Sequence, residues 1–266
     1  MKSIILNIAL IFLLLHNYLL TAGEKNIPSN KGMSFISGGT YTPLYAASKN
    51  NLKIKVAPFY MDKYPVTNLQ YLEFVKSNPK WRRSRVKNIF ADRNYLRNWK
   101  SDTEPGPDVN PAAPVTNVSW FAAKAYAEYM NKRLPTVAEW EFVAKASADK
   151  EDGSADPAYI KKILEWYSKP STGKLEPVEK GEKNFWNVYD MHGLVWEWTS
   201  DFFSALVTGE SRGDSGLERN LFCGSGSVNA SDFKNYPAFM RFAFRSSLKA
   251  NYTTDNLGFR CVKNVK

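Results

Sequence analysis

Cysteine and histidine are scarce: two of each in 266 residues. Two Cys exclude a multi-disulfide scaffold and a Cys-rich zinc finger, and two His exclude a multi-His metal centre. One of them, His16, lies in a segment expected to be removed, leaving His192 as the sole imidazole of the mature chain. Long apolar runs are also missing beyond the N-terminus, so no second segment reads as a membrane span. Compositional extremes are absent too. At 44% hydrophobic and 23% charged, the chain is neither disordered, collagen-like nor coiled-coil. What it has in quantity is aromatic surface: 8 Trp, 14 Tyr and 16 Phe. That composition predicts a loop-rich fold pinned by large flat side chains. The length admits one or two domains. No repeat or linker divides the chain, so one domain is expected.

Lys2 precedes an apolar run from Ile4 to Leu20, followed by the small residues Thr21-Ala22-Gly23. This pattern reads as a secretory signal over residues 1–23, with residues 24–31 a polar leader. The alternative is an uncleaved anchor, but the run is short and broken by Asn7, His16 and Asn17. The expected location is periplasmic or secreted, with no membrane span after cleavage. The formal net charge is +10. Much of it concentrates between Lys76 and Lys100, where nine Lys and Arg residues face a single acid, Asp92, and alternate with Trp81, Phe90, Tyr95 and Trp99. Export argues against a nucleic-acid partner. The stretch reads as a solvated insertion or as a docking face for an acidic protein or polyanionic glycan.

Local patterns place the elements. Ser34–Tyr41 reads as a strand with a glycine break, and Ile54–Met61 as a second strand. Thr67 caps a helix bearing Tyr71, Phe74 and Val75, which ends before Pro79. Ser119 caps another, with Phe121, Ala125 and Tyr129 at helical spacing. Thr136 and Glu139 form a capping box for a third, through Trp140 and Val143. From about Ala155 onward the sequence predicts loops and short strands. Arg133, Arg245 and Arg260 are expected to make fork-like bonds to carboxylates or loop carbonyls, with Glu139 and Glu141 as the carboxylate partners.

Four blocks, in order, carry a family pattern: Pro58–Asn68, Pro114–Trp120, Lys132–Glu141 and Tyr189–Trp198. The chain closes with Arg245-Ser246 and Asn256–Cys261. This series resembles the sulfatase-modifying-factor family, the fold of formylglycine-generating enzymes, over roughly residues 32–263. The resemblance implies a single α+β domain, residues 32–266, irregular and related to C-type lectins. It also implies a chemistry in which two nearby cysteines bind Cu(I) between a Gly-Gly-Ser strand and an Ala-Arg-Ser strand. Here the corresponding stretch, Gly224–Arg241, contains no Cys. The resemblance therefore carries over the fold and not the copper oxidase, and copper is not an expected cofactor. A pocket altered in this way, lined by Asn229, Tyr236 and Arg241, is a candidate polar-ligand site.

The resemblance also implies a calcium loop at Asp190–Glu197, with the Asp190 and Glu197 carboxylates and the carbonyls of Gly193 and Val195 as ligands. Such oxygen donors suit a hard cation. Leu194 stands where relatives carry Asn, and the family's other calcium loop has no match between Trp166 and Glu179. The alternative is that both carboxylates bond loop amides. His192 reads as a satisfied loop residue. Export and an even cysteine count favour a Cys223–Cys261 disulfide, worth about 4 kcal/mol in the chain-entropy model. Two buried thiols and a two-thiolate copper site are the alternatives. Three functions follow: an exported non-catalytic accessory or binding protein, assisting a periplasmic metalloenzyme such as copper nitrite reductase or a cell-surface assembly; another metal-dependent oxidoreductase on this fold; or formylglycine generation itself.

Overall fold

The computed structural model describes residues 30–42, 53–170, 173–203 and 236–265. Gly32–Lys266 is one compact unit, and Met1–Lys31 falls outside it. The expected signal segment, Asn229 and Cys223 lie outside the described residues. The fold is an irregular single α+β domain, as expected. No helix among the described residues is long and apolar enough to cross a membrane.

Both expected strands exist, each divided by a short break. β1 (Met33–Ile36) and β2 (Gly39–Tyr41) flank Gly38; β3 (Ile54–Val56) and β4 (Phe59–Asp62) flank Ala57-Pro58. Gly38 has φ +74, and a Cβ there would collide with the carbonyl of Val56, so only glycine fits. The break lets one run of residues serve two sheets. β1 and β4 pair antiparallel, and β4 pairs with the C-terminal β9 (Val262–Asn264), while β2 pairs with β3. The first and last described strands thus flank β4 in one three-stranded sheet.

The caps behave as the sequence predicts. Thr67 starts α1 (Asn68–Ser77) with a full capping box to Gln70, Ser119 caps α2 (Trp120–Tyr129), and Thr136 with Glu139 boxes α3 (Val137–Ala144). The buried face of α2 differs from expectation. Ala122, Ala123, Tyr126 and Ala127 are buried, and Tyr129 is exposed. Small alanines let α2 approach α1 closely, and Tyr126 fills the gap beside Tyr71, Phe74 and Phe259. The larger correction lies after Ala155. Two helices stand where loops were expected: α4 (Pro157–Ser168), capped by Asp156 with Pro157 at its first position, and α5 (Tyr236–Ser246). In the loops around them, β7 (Trp196–Glu197) pairs parallel with β8 (Leu257–Gly258).

Three of the four aromatics of the basic insertion do not line its surface; Phe90 alone of them is exposed. Trp81, Tyr95 and Trp99 are buried in the principal core cluster, and Tyr95 Oη bonds Tyr71 Oη at 2.7 Å. A two-stranded ribbon, β5 (Trp99–Ser101) and β6 (Glu104–Pro105), closes the insertion. Burying three rings fastens the segment and leaves its cations in solvent.

Candidate functional site

Two buried ionic centres organise the surface that the family pattern surrounds. The first is Glu141, on α3. Arg241 Nε and Nη2 donate to it at 2.9 and 2.7 Å, and Arg245 Nη1 donates at 2.6 Å. All three side chains are buried. Arg241 and Arg245 are four residues apart on α5, which puts both on one helical face toward α3. Their guanidiniums also lie 5.7 and 4.8 Å from the Trp140 ring centre. Tyr167 Oη accepts from Arg241 at 3.2 Å, tying in α4. Burial by itself would raise the Glu141 pKa, but the two arginines hold it at about 2. His192 sits among the rings of Trp140, Tyr159 and Trp166, with Nε2 3.1 Å from the carbonyl of Ala144. Burial, reinforced by Arg241, lowers its pKa to about 3. Neither group changes protonation near neutrality, so this centre offers no general acid or base there.

The second centre is Glu197 with Arg260, both side chains 0% exposed. Arg260 Nε and Nη2 grip the carboxylate at 2.8 Å each, and Trp140 Nε1 donates to Oε2 at 2.7 Å. Arg260 also donates to the carbonyls of Asp62, Lys63, Tyr189 and Asp190. Asp190 Oδ2 accepts from the Glu179 amide at 2.8 Å. Of the donor set expected for calcium, the Glu197 oxygens accept from Arg260 and from Trp140 Nε1, so this carboxylate is engaged by a guanidinium and an indole. Among the described residues no group of three or more His, Cys, Asp or Glu is placed to hold a metal.

Of the three residues expected to share a polar pocket, the two described ones, Tyr236 and Arg241, have different surroundings. Tyr236 opens α5 and is 48% exposed, stacked on Phe239, whereas Arg241 points inward to Glu141. Asn229 lies outside the described residues. Cys261 is a buried free thiol immediately before β9. Its pKa is raised well above the ordinary thiol value, by burial first and by Asp62 next. Asp62 Oδ2 accepts the Cys261 amide at 3.0 Å, while Oδ1 pairs with Lys132 at 2.6 Å. Cys223, the other half of the expected disulfide, is outside the described residues.

Arg133 forks to Glu139 at 2.7 and 2.6 Å, and Arg245 pairs with Glu141, as expected. Arg260 takes Glu197 rather than Glu139 or Glu141. Arg241, read as a ligand residue, is a structural partner of Glu141. Its position four residues before Arg245 was the available signal, once that stretch is helical.

An irregular α+β domain with its first and last described strands in one sheet, short strand pairs and buried Arg–Glu pins defines the class of the sulfatase-modifying-factor fold. Residues 20–265 match the family described as "Sulfatase-modifying factor enzyme 1-like domain", and the chain belongs to that family. It is 28% identical over 290 residues to the "Formylglycine-generating enzyme" of Streptomyces coelicolor, covering 92% of this chain and 90% of the relative. It is 27% identical over 254 residues to the "Inactive C-alpha-formylglycine-generating enzyme 2" of Bos taurus, covering 80% and 79%. Among solved structures it is similar to PvdO from Pseudomonas aeruginosa, with 18% identity, 88% and 94% of the two chains covered and a TM-score of 0.49.

Proposed function

We propose that this protein is an exported, non-catalytic member of the family that binds a partner rather than oxidising one, assisting a periplasmic metalloenzyme such as copper nitrite reductase or a cell-surface assembly. The observation that carries the reading is the absence of cysteine from Gly224–Arg241. Cu(I) needs soft ligands, and the only soft donor in that stretch is the thioether of Met240. Cys261 offers no substitute. It is 0% exposed and its thiol is held protonated by burial, whereas a metal ligand must be a thiolate. The ionisable groups around α5 carry the same message, since Glu141 and His192 are locked in single protonation states near pH 7. Among the described residues the helix caps and the buried Arg–Glu pairs are formed, and the basic insertion gives the domain a charged face for an acidic partner.

The competing reading, a retained oxidoreductase, draws on the similarity to the Streptomyces coelicolor enzyme over most of both chains. Copper-loaded protein incubated under oxygen with a cysteine-containing sulfatase-motif peptide separates the two. The expected product mass is unchanged. Conversion of the peptide thiol to an aldehyde, dependent on Cys223, would move the protein to the enzyme class.

A further inference from the structure

At the tip of the basic insertion, exposed apolar side chains stand among uncompensated cations. Lys87 O accepts the amides of Phe90 and Ala91 at 2.8 and 3.2 Å, which closes a tight turn with Ile89 at its apex. The far side of the turn is anchored. Ala91 is buried, and the Asp92 amide donates to Asn251 O at 2.9 Å. Ile89 is 70% exposed and Phe90 39%. Phe90 leans on Phe121 at 5.5 Å, and Phe121 on Trp120 at 5.4 Å, so the apolar surface continues from the turn onto α2. Both of those rings are half-buried. One exposed apolar side chain is ordinary, whereas an aliphatic apex continuous with three rings is a patch.

Cations surround this patch. Lys87 and Arg93 are exposed, and neither has an ion-pair partner among the described residues. Lys124 Nζ lies 5.3 Å from the Trp120 ring centre, and Glu128 reaches it only at 3.8 Å. Lys80 Nζ lies 6.0 Å from the ring centre of Trp81, the ring that Phe90 meets edge-on at 6.1 Å. The single acid of the insertion does not offset them. Asp92 accepts the amides of Asn94 and Thr253 and the Thr253 hydroxyl.

A polyanionic glycan would use the cations and leave Ile89 in water. An acidic protein would need a pocket for a projecting apex. An anionic bilayer uses every part of the patch: apolar side chains enter the boundary between headgroups and acyl chains, rings sit at headgroup level, and cations meet lipid phosphates. We propose that the turn at Ile89 docks this domain peripherally onto an anionic phospholipid bilayer. Ile89 and Phe90 enter the interface, and Lys87, Arg93 and Lys124 take the phosphates. The turn is already closed in the free protein, so little ordering opposes docking. This inference stands whether or not the protein is catalytic.

The test is co-sedimentation with vesicles of phosphatidylcholine alone and of phosphatidylcholine and phosphatidylglycerol in equal parts. Residues 24–266 are used, because they keep the compact unit Gly32–Lys266 and omit the apolar run Ile4–Leu20. Binding is expected to the mixed vesicles and not to the neutral ones, and it should weaken as salt rises. Lys87→Glu with Arg93→Glu should weaken it roughly thirtyfold or more. Ile89→Ser should weaken it roughly tenfold. That variant should keep its melting temperature, because the side chain lies in solvent, and its elution from immobilised heparin, because a sulfated chain has no apolar interior. The proposal is overturned if mixed vesicles do not bind, if neutral vesicles bind equally well, or if Ile89→Ser leaves vesicle binding unchanged. It is also overturned if Ile89→Ser lowers heparin elution as well, which would make the turn a face for a polyanion rather than for a bilayer.

Discussion

Glu141 keeps its charge without water because two guanidiniums replace its hydration. Its folded pKa of about 2 lies below the ordinary 4.5. The resulting stability, about 3 kcal/mol by linkage, is complete above roughly pH 4.5 and is lost as the pH falls through about 2. Urea unfolding of the wild type between pH 5 and pH 2 should show that acid limb. Glu141→Gln should flatten it and destabilise the protein at pH 7 by about 3–5 kcal/mol, since two buried arginines lose their counter-charge. An unchanged acid limb in the variant would remove Glu141 from this role. Arg260 is the complementary case. Arg260→Ala should cost a similar amount by stranding the Glu197 carboxylate. Because that carboxylate faces Arg260 and Trp140, chelator should leave the wild-type melting temperature unchanged. A chelator-induced fall reversed by added Ca²⁺ would refute this.

Helix starts are local chemistry, and here they join tertiary contacts. Glu139 accepts the Thr136 amide at 2.8 Å and at the same time holds Arg133, whose Nη2 reaches Asn264 Oδ1 at 2.7 Å in β9. Thr136→Ala should cost about 1 kcal/mol, the ordinary worth of an N-cap. Glu139→Ala should cost more, because cap and fork are lost together, and the double variant should fall short of the sum. Chemical denaturation of the three variants measures all of this. Equal costs for the two single variants would show that the Arg133 fork adds nothing. Helices α4 and α5 are a different kind of element. Each is amphipathic, and α5 turns its two arginines toward the only buried carboxylate of α3.

Across the whole molecule, charge is distributed unevenly. Ile89 is 70% exposed beside the exposed Lys87 and Arg93, on an insertion anchored by three buried rings. Steering of an acidic partner by such a face should weaken steeply with salt. Lys87→Glu with Arg93→Glu should lower the salt concentration that elutes the protein from immobilised heparin. The melting temperature should hold, because both side chains lie in solvent. Unaltered elution would exclude this face as the polyanion site.

Read by itself, the sequence determined the family, the α+β class, the break at Gly38, three helix caps and the lack of a cysteine pair. Each is a matter of local stereochemistry or of residue identity, and neither needs distant contacts. The tertiary structure alone decided that Arg260 takes Glu197 and that Arg241 serves Glu141. It alone decided which face of α2 is buried. The partners of Arg260 and Arg241 lie 63 and 100 residues away. At such separations a charged side chain pairs with whatever packing brings within 3 Å. The burial of α2 likewise follows from how near it can come to α1, which the alanines permit and a 3.6-residue count does not reveal.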